Sequence, residues 1–157
     1  MSLRKHISIL LLSMLISFTT NAANIFTKLP IEELPSYILE PCLSTTCIDT
    51  FNKYKKYARQ RHSSAMSALA EFHYTGYGTN KNIREALKYF RRSAKYGFVQ
   101  AQFKAARIYF NEPDFLDIEQ GLKYLKKAAR NGHGQAAYTL GVIYSTNFLK
   151  YSDYNES

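Results

Sequence analysis

A repeat with a period of 36 and then 35 residues constrains this sequence more than any other feature. It becomes visible when Ala65, Ala101 and Ala136 are aligned, because an apolar or small pair follows each alanine and an aromatic-class residue follows each pair. These aromatic-class residues are His73, Tyr109 and Tyr144. A repeat of this length is typical of stacked helix pairs, in which each unit buries its apolar face against its neighbours. The sequence therefore predicts an all-α fold, a short α-solenoid of antiparallel helix pairs.

The predicted helix caps support the same repeat register. Thr46, Asn82 and Asp117 are predicted to cap the second helix of each unit, because an acidic or amide residue stands three positions after each of them. Gly97 and Gly132 are predicted to end these helices in the left-handed conformation. The predicted units are a half unit (46–64), two full units (65–100 and 101–135) and a first helix alone (136–147).

Several motifs within these units carry a family resemblance. They are Ala65-x-x-x-Leu69-Ala70, Gly76-x-Gly78, Glu85-Ala86-x-x-Tyr89-x-x-Arg92-Ser93-Ala94-x-x-Gly97, and the run from Leu122 to Ala136 with Leu140-Gly141-Val142-Ile143-Tyr144. These motifs resemble the Sel1-like repeat family, which is similar to the tetratricopeptide repeats. The sequence departs from the family pattern at 112–114, where both glycines are missing, and at His73, where the family usually has tyrosine.

The resemblance implies a right-handed superhelix over 46–147 that binds other proteins as a scaffold or adaptor. Members of the family generally carry no catalytic residues, so neither an enzymatic activity nor a cofactor is expected. The resemblance also implies that a client protein binds on the concave wall, which the first helix of each pair lines. The identity of that client is not contained in the sequence.

Two aromatic residues and an arginine mark the candidate groove on this wall. Phe103 and Tyr138 occupy the same repeat slot, and Arg107 lies one helical turn from Phe103, a combination typical of interface anchors. The candidate groove residues are Phe103, Arg107, Tyr138, Gln102 and Thr139. The alternative is that the two rings only pack between successive repeats.

A second candidate surface is basic, in a chain whose formal net charge is +9. Cations step by three and four residues along the second helices, so they share one face of each helix. The predicted basic ridge comprises Lys55, Arg59, Arg84, Lys88, Arg91, Lys95, Lys123, Lys126 and Arg130. The ridge is either a solvated face that keeps the protein soluble or a track for an acidic protein, an anionic glycan or lipid head groups. Nucleic acid is not an expected partner, because no recognised nucleic-acid-binding motif is present.

Residues 1–23 are predicted to be a secretory signal peptide. A basic start precedes an apolar run over 7–18 and then small residues, which indicates cleavage near Ala22 or Ala23. The apolar run is shorter than the roughly 20 residues that a transmembrane helix needs. We therefore expect a periplasmic or secreted protein with no membrane span after cleavage. A retained membrane anchor is the alternative.

Export changes the interpretation of the two cysteines. In an oxidising compartment Cys42 and Cys47 are predicted to form a disulfide, which would hold residues 24–45 as an N-terminal capping segment. The alternative is a redox site, since Cys47 falls in the first turn of a predicted helix, but the spacing is not Cys-x-x-Cys. At the other end we predict a disordered tail over 148–157. The last helix lacks a partner, which favours a homodimer or docking onto a client.

The remaining candidates for chemistry are weak. His62, His73 and His133 lie in different repeat slots, so no metal site is expected. The Ser-x-x-Lys motif of β-lactam chemistry occurs only from Ser2 to Lys5, within the predicted signal peptide. The sequence therefore predicts an exported, non-enzymatic protein-interaction module. The alternatives are a secreted virulence factor that binds host proteins, and a β-lactam-binding or hydrolase-type cysteine-rich repeat protein.

Overall fold

The computed structural model describes residues 40–145, and within them the chain forms six α-helices joined by short turns. They are α1 (Thr45–Arg59), α2 (Ser63–Thr75), α3 (Ile83–Lys95), α4 (Val99–Asn111), α5 (Ile118–Arg130) and α6 (Gly134–Ser145). A 3-10 helix at Pro113–Phe115 lies between α4 and α5. Each α-helix packs against the next one along the chain, so the prediction of an all-α helical repeat solenoid is confirmed.

Several predicted segments lie outside the described residues. They are the signal peptide (1–23), the part of the capping segment before residue 40, the end of the last helix after residue 145, and the tail (148–157). Within the described residues α2 pairs with α3 and α4 with α5, while α1 precedes the first pair and α6 follows the second.

Two of the three predicted N-caps are confirmed. The Asn82 side chain accepts a hydrogen bond from the Glu85 amide at 3.0 Å, and the Asp117 side chain accepts one from the Gln120 amide at 2.9 Å. These bonds satisfy amides that have no partner inside the first helical turn. The caps therefore set the start of α3 and of α5.

The predicted cap of α1 is wrong by two residues. Helix α1 begins at Thr45, and its N-cap is Ser44, whose hydroxyl accepts from the Cys47 amide at 3.4 Å. Thr46 therefore lies inside the helix. Ser44 lies between the two cysteines, and the Cys42–Cys47 disulfide, which the sequence predicted, is present. The disulfide turns the chain back over the first turn of α1 and so places Ser44 at the cap.

Glycines end the second helix of each pair as predicted. Gly97 and Gly132 follow α3 and α5 with φ of 85° and 87°. This left-handed conformation is open to glycine because it has no Cβ.

Alanines set the distance between helices in the core. Between α2, α3 and α4 a continuous cluster of buried side chains combines small and large groups. Its members are Ala70, Ala86, Leu87, Phe90, Ala94, Ala101, Ala105, Ile108 and Tyr109. A second cluster between α1 and α2 contains Phe51, Ala58, Met66, Leu69 and Phe72. Small residues let the helix axes approach closely, and the large rings fill the space between neighbouring pairs.

The turn between α2 and α3 fastens the chain segment that precedes α1. The Cys42 amide donates to the Gly76 carbonyl at 3.2 Å, and the Gly78 amide donates to the Cys42 carbonyl at 2.6 Å. Gly78 has φ of 66°, and a Cβ there would overlap the Cys47 carbonyl and lie 2.7 Å from the Phe51 Cβ. The turn therefore depends on glycine both for its conformation and for its contact with α1.

The corresponding turn after α4 is built differently, since it lacks both glycines. Here Pro113–Phe115 form the 3-10 helix, and the Asp117 amide donates to the Tyr109 carbonyl at 3.0 Å. A glycine in α5, Gly121, allows close packing against α4. A Cβ at this position would lie 2.7 Å from the Phe110 ring.

Candidate interaction surfaces

The repeated aromatic slot is occupied by stacked rings. The Tyr109 and Tyr124 rings stack with centroids 5.9 Å apart, and the His73 and Tyr89 rings stack at 5.7 Å in the preceding pair. His73 therefore takes the packing position that Tyr109 fills one unit later. Burial lowers the pKa of His73, partly offset by the negative charge of Glu85. Its Nδ1 atom is buried and lacks a hydrogen-bond partner within the described residues. The contacts of His73 are therefore mainly ring packing, as in its stack on Tyr89.

A buried glutamine joins three helices. Gln102 on α4 is fully buried, and its Nε2 atom donates to the Ala94 carbonyl on α3 at 3.4 Å. Its Oε1 atom accepts from Asn131 Nδ2 at 2.8 Å, directly after α5. Lys127 Nζ donates to the same Ala94 carbonyl at 3.3 Å. Gln102 thus connects the carboxyl ends of α3 and α5, a structural role that removes it from the predicted groove.

Two more of the predicted groove residues are covered by their neighbours. The Phe103 side chain is 3% exposed and stacks on the His133 ring at 4.3 Å. Thr139 is fully buried, and its hydroxyl donates to the Gln135 carbonyl at 2.8 Å. The predicted groove set is corrected accordingly, because Gln102, Phe103 and Thr139 do not reach a surface that a partner could contact.

His133 covers Phe103 and also caps α6. Its Nδ1 atom accepts from the Ala136 amide at 3.2 Å, and its Nε2 atom lies 3.1 Å from Gln100 Oε1. The two contacts assign the neutral tautomer with the proton on Nε2, because Nδ1 accepts and the amide oxygen requires a donor. Burial lowers the pKa of His133 and favours this neutral form.

Tyr138 and Arg107 remain at the surface. Tyr138 is 62% exposed, although it occupies the same slot as the buried Phe103. Arg107 is half-buried, and its Nε atom is buried without a hydrogen-bond partner within the described residues. These two residues are the accessible part of the predicted groove.

Charged side chains of α2 and α4 meet beside Arg107. Glu71 and Lys104 form an ion pair at 2.6 Å, and the Tyr74 hydroxyl donates to Glu112 Oε1 at 2.9 Å. Burial and the bond to Glu112 raise the pKa of Tyr74 to about 12. We define the first-helix face by residues of α2, α4 and α6 and of the turn after α4. They are Glu71, Tyr74, Lys104, Arg107, Glu112 and Tyr138. A small recess of about 20 Å³ opens among its α2 and α4 side chains.

The predicted basic ridge does not act as one surface in the structure, because its α3 residues line a groove and its α5 residues do not. Eight of its nine residues are exposed, and Lys126 is half-buried with Nζ 5.8 Å from the centre of the Tyr144 ring. Four ridge residues on α3, namely Arg84, Lys88, Arg91 and Lys95, line an open groove that faces α5. The opposite wall is formed by Tyr124 and Lys127, whereas the α5 ridge residues do not line it.

Two further cations, Arg92 and Lys127, line this open groove between α3 and α5 and were not part of the predicted ridge. They are 35 residues apart, so they occupy one repeat slot. Both belong to the motifs that carry the family resemblance. Their shared slot was the signal that could have placed them beside the ridge.

Residues 40–145 contain no group of three or more histidine, cysteine, aspartate or glutamate side chains placed to hold a metal ion. Among the described helices none has the length and apolar character required to cross a membrane.

Helix pairs that stack through buried alanines and aromatic rings, with glycines after the second helix of each pair, are typical of all-α helical repeat proteins. The Sel1 repeat family model matches residues 63–97 and 99–133, and the two matches begin where α2 and α4 begin. The chain therefore contains two Sel1 repeats. The two matched repeats start two residues before the predicted units at 65 and 101.

Solved structures show the same fold. A Sel1 repeat protein from Oxalobacter formigenes is 30% identical with a TM-score of 0.56, over 62% of this chain and 40% of that chain. A protective antigen present in uropathogenic Escherichia coli strains, which displays an SLR fold, is 24% identical with a TM-score of 0.57. That match covers 62% of this chain and 21% of that chain, and it bears on the fold alone. This chain thus spans less than half the length of either structure. No curated protein matches the sequence significantly.

Sel1 repeat proteins generally mediate protein–protein interaction, and the fold is typically a non-catalytic interaction module.

Proposed function

We propose that this protein is an exported, non-enzymatic interaction module that binds a client protein on its first-helix face. Two adjacent Sel1 repeats support the class of function, because proteins of this kind generally act by holding other proteins. The client is a protein of unknown identity. A homodimer through α6 is the form of self-association that the exposed Tyr138 would favour.

The main support for this proposal is the unsatisfied hydrogen-bond donor of Arg107. Its buried Nε donor has no partner within the described residues, although the side chain borders a recess at the surface. A buried donor without an acceptor costs about 1–3 kcal/mol. A client carboxylate or carbonyl group at the recess would supply that acceptor once the Arg107 side chain turns towards it, and Glu71 and Lys104 on the same face would give further polar contacts.

Export is the second part of the proposal. The Cys42–Cys47 disulfide is compatible with a periplasmic or extracellular protein, since disulfides persist in oxidising compartments. The predicted signal peptide over 1–23 lies outside the described residues, as do Ser2 and Lys5, on which the β-lactam alternative depends.

A crosslinking pulldown from envelope extract tests the proposal. We expect the wild-type protein to recover a discrete client at low and at high salt. The double variant Arg107→Ala, Tyr138→Ala should lose this client. Both substitutions remove side chains that are not part of the apolar core, so the circular dichroism spectrum should not change.

The control variant is Lys53→Ala, Tyr96→Ala, which removes one exposed cation and one exposed tyrosine elsewhere on the described surface. It should retain the client. If the Arg107 and Tyr138 variant folds and still recovers every protein that the wild type recovers, the first-helix face is not the binding surface.

A further inference from the structure

An open groove runs along α3 on the side that faces α5. Two adjoining recesses of about 460 and 570 Å³ form it, and they share Lys88 and Arg91. We call it the α3–α5 groove. One half is lined by basic side chains and one tyrosine, and the other half combines apolar, acidic and basic side chains.

The basic end carries five cations and no acidic side chain in its lining. They are Lys88, Arg91, Arg92, Lys95 and Lys127. Only Lys88 is neutralised, by an ion pair with Glu85 at 2.9 Å. Within residues 40–145 the other four form no ion pair, so the groove concentrates positive potential along one wall.

Two of these cations are held in place by neighbouring groups. Lys127 Nζ donates to the Ala94 carbonyl at 3.3 Å, and the Arg92 guanidinium lies 5.8 Å from the centre of the Tyr89 ring. Arg91 and Tyr124 line the same part of the groove. Because the Lys127 and Arg92 side chains are already positioned, a ligand would lose little of its binding free energy to ordering them.

The other end of the groove offers an apolar contact. Leu87 and Phe115 line it, together with Leu116, whose side chain is 56% exposed. Asp114 and Asp117 also line this end, together with Arg84, Lys88 and Arg91. The two carboxylates offset the Arg84 and Arg91 guanidinium groups, so this end attracts an anionic group less than the basic end does.

We propose that the α3–α5 groove binds an extended acidic peptide segment that ends in an apolar side chain. The acidic residues lie against Arg91, Lys95 and Lys127, and the apolar side chain packs on Phe115 and Leu116. From Arg84 to Lys95 the helix rises about 16 Å, which matches about five residues of extended chain. Charge complementarity selects the acidic part, and the apolar end distinguishes a peptide from a glycan or a free phosphate.

This inference rests on the proposed function only in that the partner is a protein, and it concerns a different surface. Failure of the first-helix face and failure of the groove are therefore separable. Variants of Arg107 and Tyr138 leave the groove intact, and variants of the groove leave the first-helix face intact.

The test is fluorescence anisotropy with the purified full chain and labelled five-residue peptides. The main probe has four acidic residues followed by leucine, and a second probe has the same residues with leucine first. A third probe replaces the leucine by serine. Heparin and vesicles of anionic phospholipid, added as competitors, represent the other sources of negative charge.

We expect both leucine probes to bind more tightly than the serine probe and to weaken at high salt, because exposed charges are screened. The triple variant Arg91→Gln, Lys95→Gln, Lys127→Gln should lose at least about tenfold in affinity. Leu116→Ser should abolish the preference for the main probe over the serine probe.

The control is Lys53→Gln, Lys123→Gln, Arg130→Gln, which removes three exposed charges that do not line the groove. Its affinity should stay within about threefold of the wild type. Equal losses in the control and in the groove variant would overturn the assignment of the site. Equal binding of the three probes, or stronger competition by heparin or vesicles than by unlabelled peptide, would overturn the assignment of the ligand.

Discussion

Gly78 is the residue at which local conformation and packing depend most directly on each other. It adopts a positive φ, which favours glycine, and it approaches the backbone of α1 so closely that no Cβ fits. The residue therefore links the α2–α3 turn, the Cys42 segment and the first turn of α1.

We predict that Gly78→Ala lowers the free energy of unfolding by about 2–4 kcal/mol, because alanine is strained at this φ and would overlap the Cys47 carbonyl. Urea unfolding followed by circular dichroism measures the change. Gly141→Ala is the matched control, since Gly141 lies in α6 with open space around it. It should leave stability unchanged or raise it by up to about 1 kcal/mol. A small loss at Gly78 would show that the turn relaxes away from α1.

The two packed histidines make stability depend on pH. Burial holds the pKa of His73 and of His133 below the ordinary value of 6.5. The stability that they contribute is therefore fully present above the unfolded-state pKa. It is lost as the pH falls through their folded-state pKa values, because the unfolded chain binds protons first.

We expect the melting temperature of the wild-type protein to fall between about pH 7 and pH 5.5. The variant His73→Tyr, His133→Asn should show a smaller fall, since tyrosine fits the ring slot and asparagine can cap α6 without titrating in this range. Thermal melts across this range measure the difference. An unchanged pH dependence in the variant would assign the effect to other groups.

At the scale of helices, Gln102 connects α3, α4 and α5 through bonds to a carbonyl and to an amide. This contact couples the α2–α3 pair to the α4–α5 pair within the core, whereas the Glu71–Lys104 ion pair joins the two pairs nearer the surface. Replacing a buried polar group while its partners stay in place leaves those partners unsatisfied.

We predict that Gln102→Leu, which keeps the approximate size of the side chain, destabilises the protein by about 1–2 kcal/mol. The exposed Gln60→Leu change should cost less than about 0.5 kcal/mol. Urea unfolding measures both, and hydrogen exchange should show the loss of protection first at the carboxyl ends of α3 and α5. If Gln102→Leu costs no more than Gln60→Leu, the hydrogen bonds of Gln102 do not stabilise the contact between the helix pairs.

In the molecule as a whole, basic side chains outnumber acidic ones, so not every cation can have an acidic partner of its own. The formal net charge is +9, while the described residues contain two ion pairs, Glu85–Lys88 and Glu71–Lys104. Repulsion among the remaining cations opposes compaction, and salt screens it.

We therefore expect the melting temperature to rise with sodium chloride concentration. The triple variant Arg91→Gln, Lys95→Gln, Lys127→Gln should melt higher at low salt and respond less to salt. Differential scanning fluorimetry over a salt series measures both effects. A wild-type melting temperature that falls with salt would show that attractive ion pairs dominate.

Interactions within a few residues of one another were accessible from the sequence. The caps at Asn82 and Asp117, the glycines after the second helices and the Cys42–Cys47 pair each depend on local spacing, and all were predicted correctly. The cap of α1 was not, because Ser44 gains that position from the fold-back of the disulfide.

A stack of Sel1-like helix pairs was predictable from the sequence, because the periodicity and the capping residues reflect the helices and their packing faces directly. Which repeat positions reach the surface was not predictable in this way. Phe103 and Tyr138 occupy equivalent positions, yet His133 covers one ring and the other is exposed. Arg92 and Lys127 likewise join one groove because α3 and α5 lie side by side. Exposure depends on what the next element covers, and that is a property of the assembled stack.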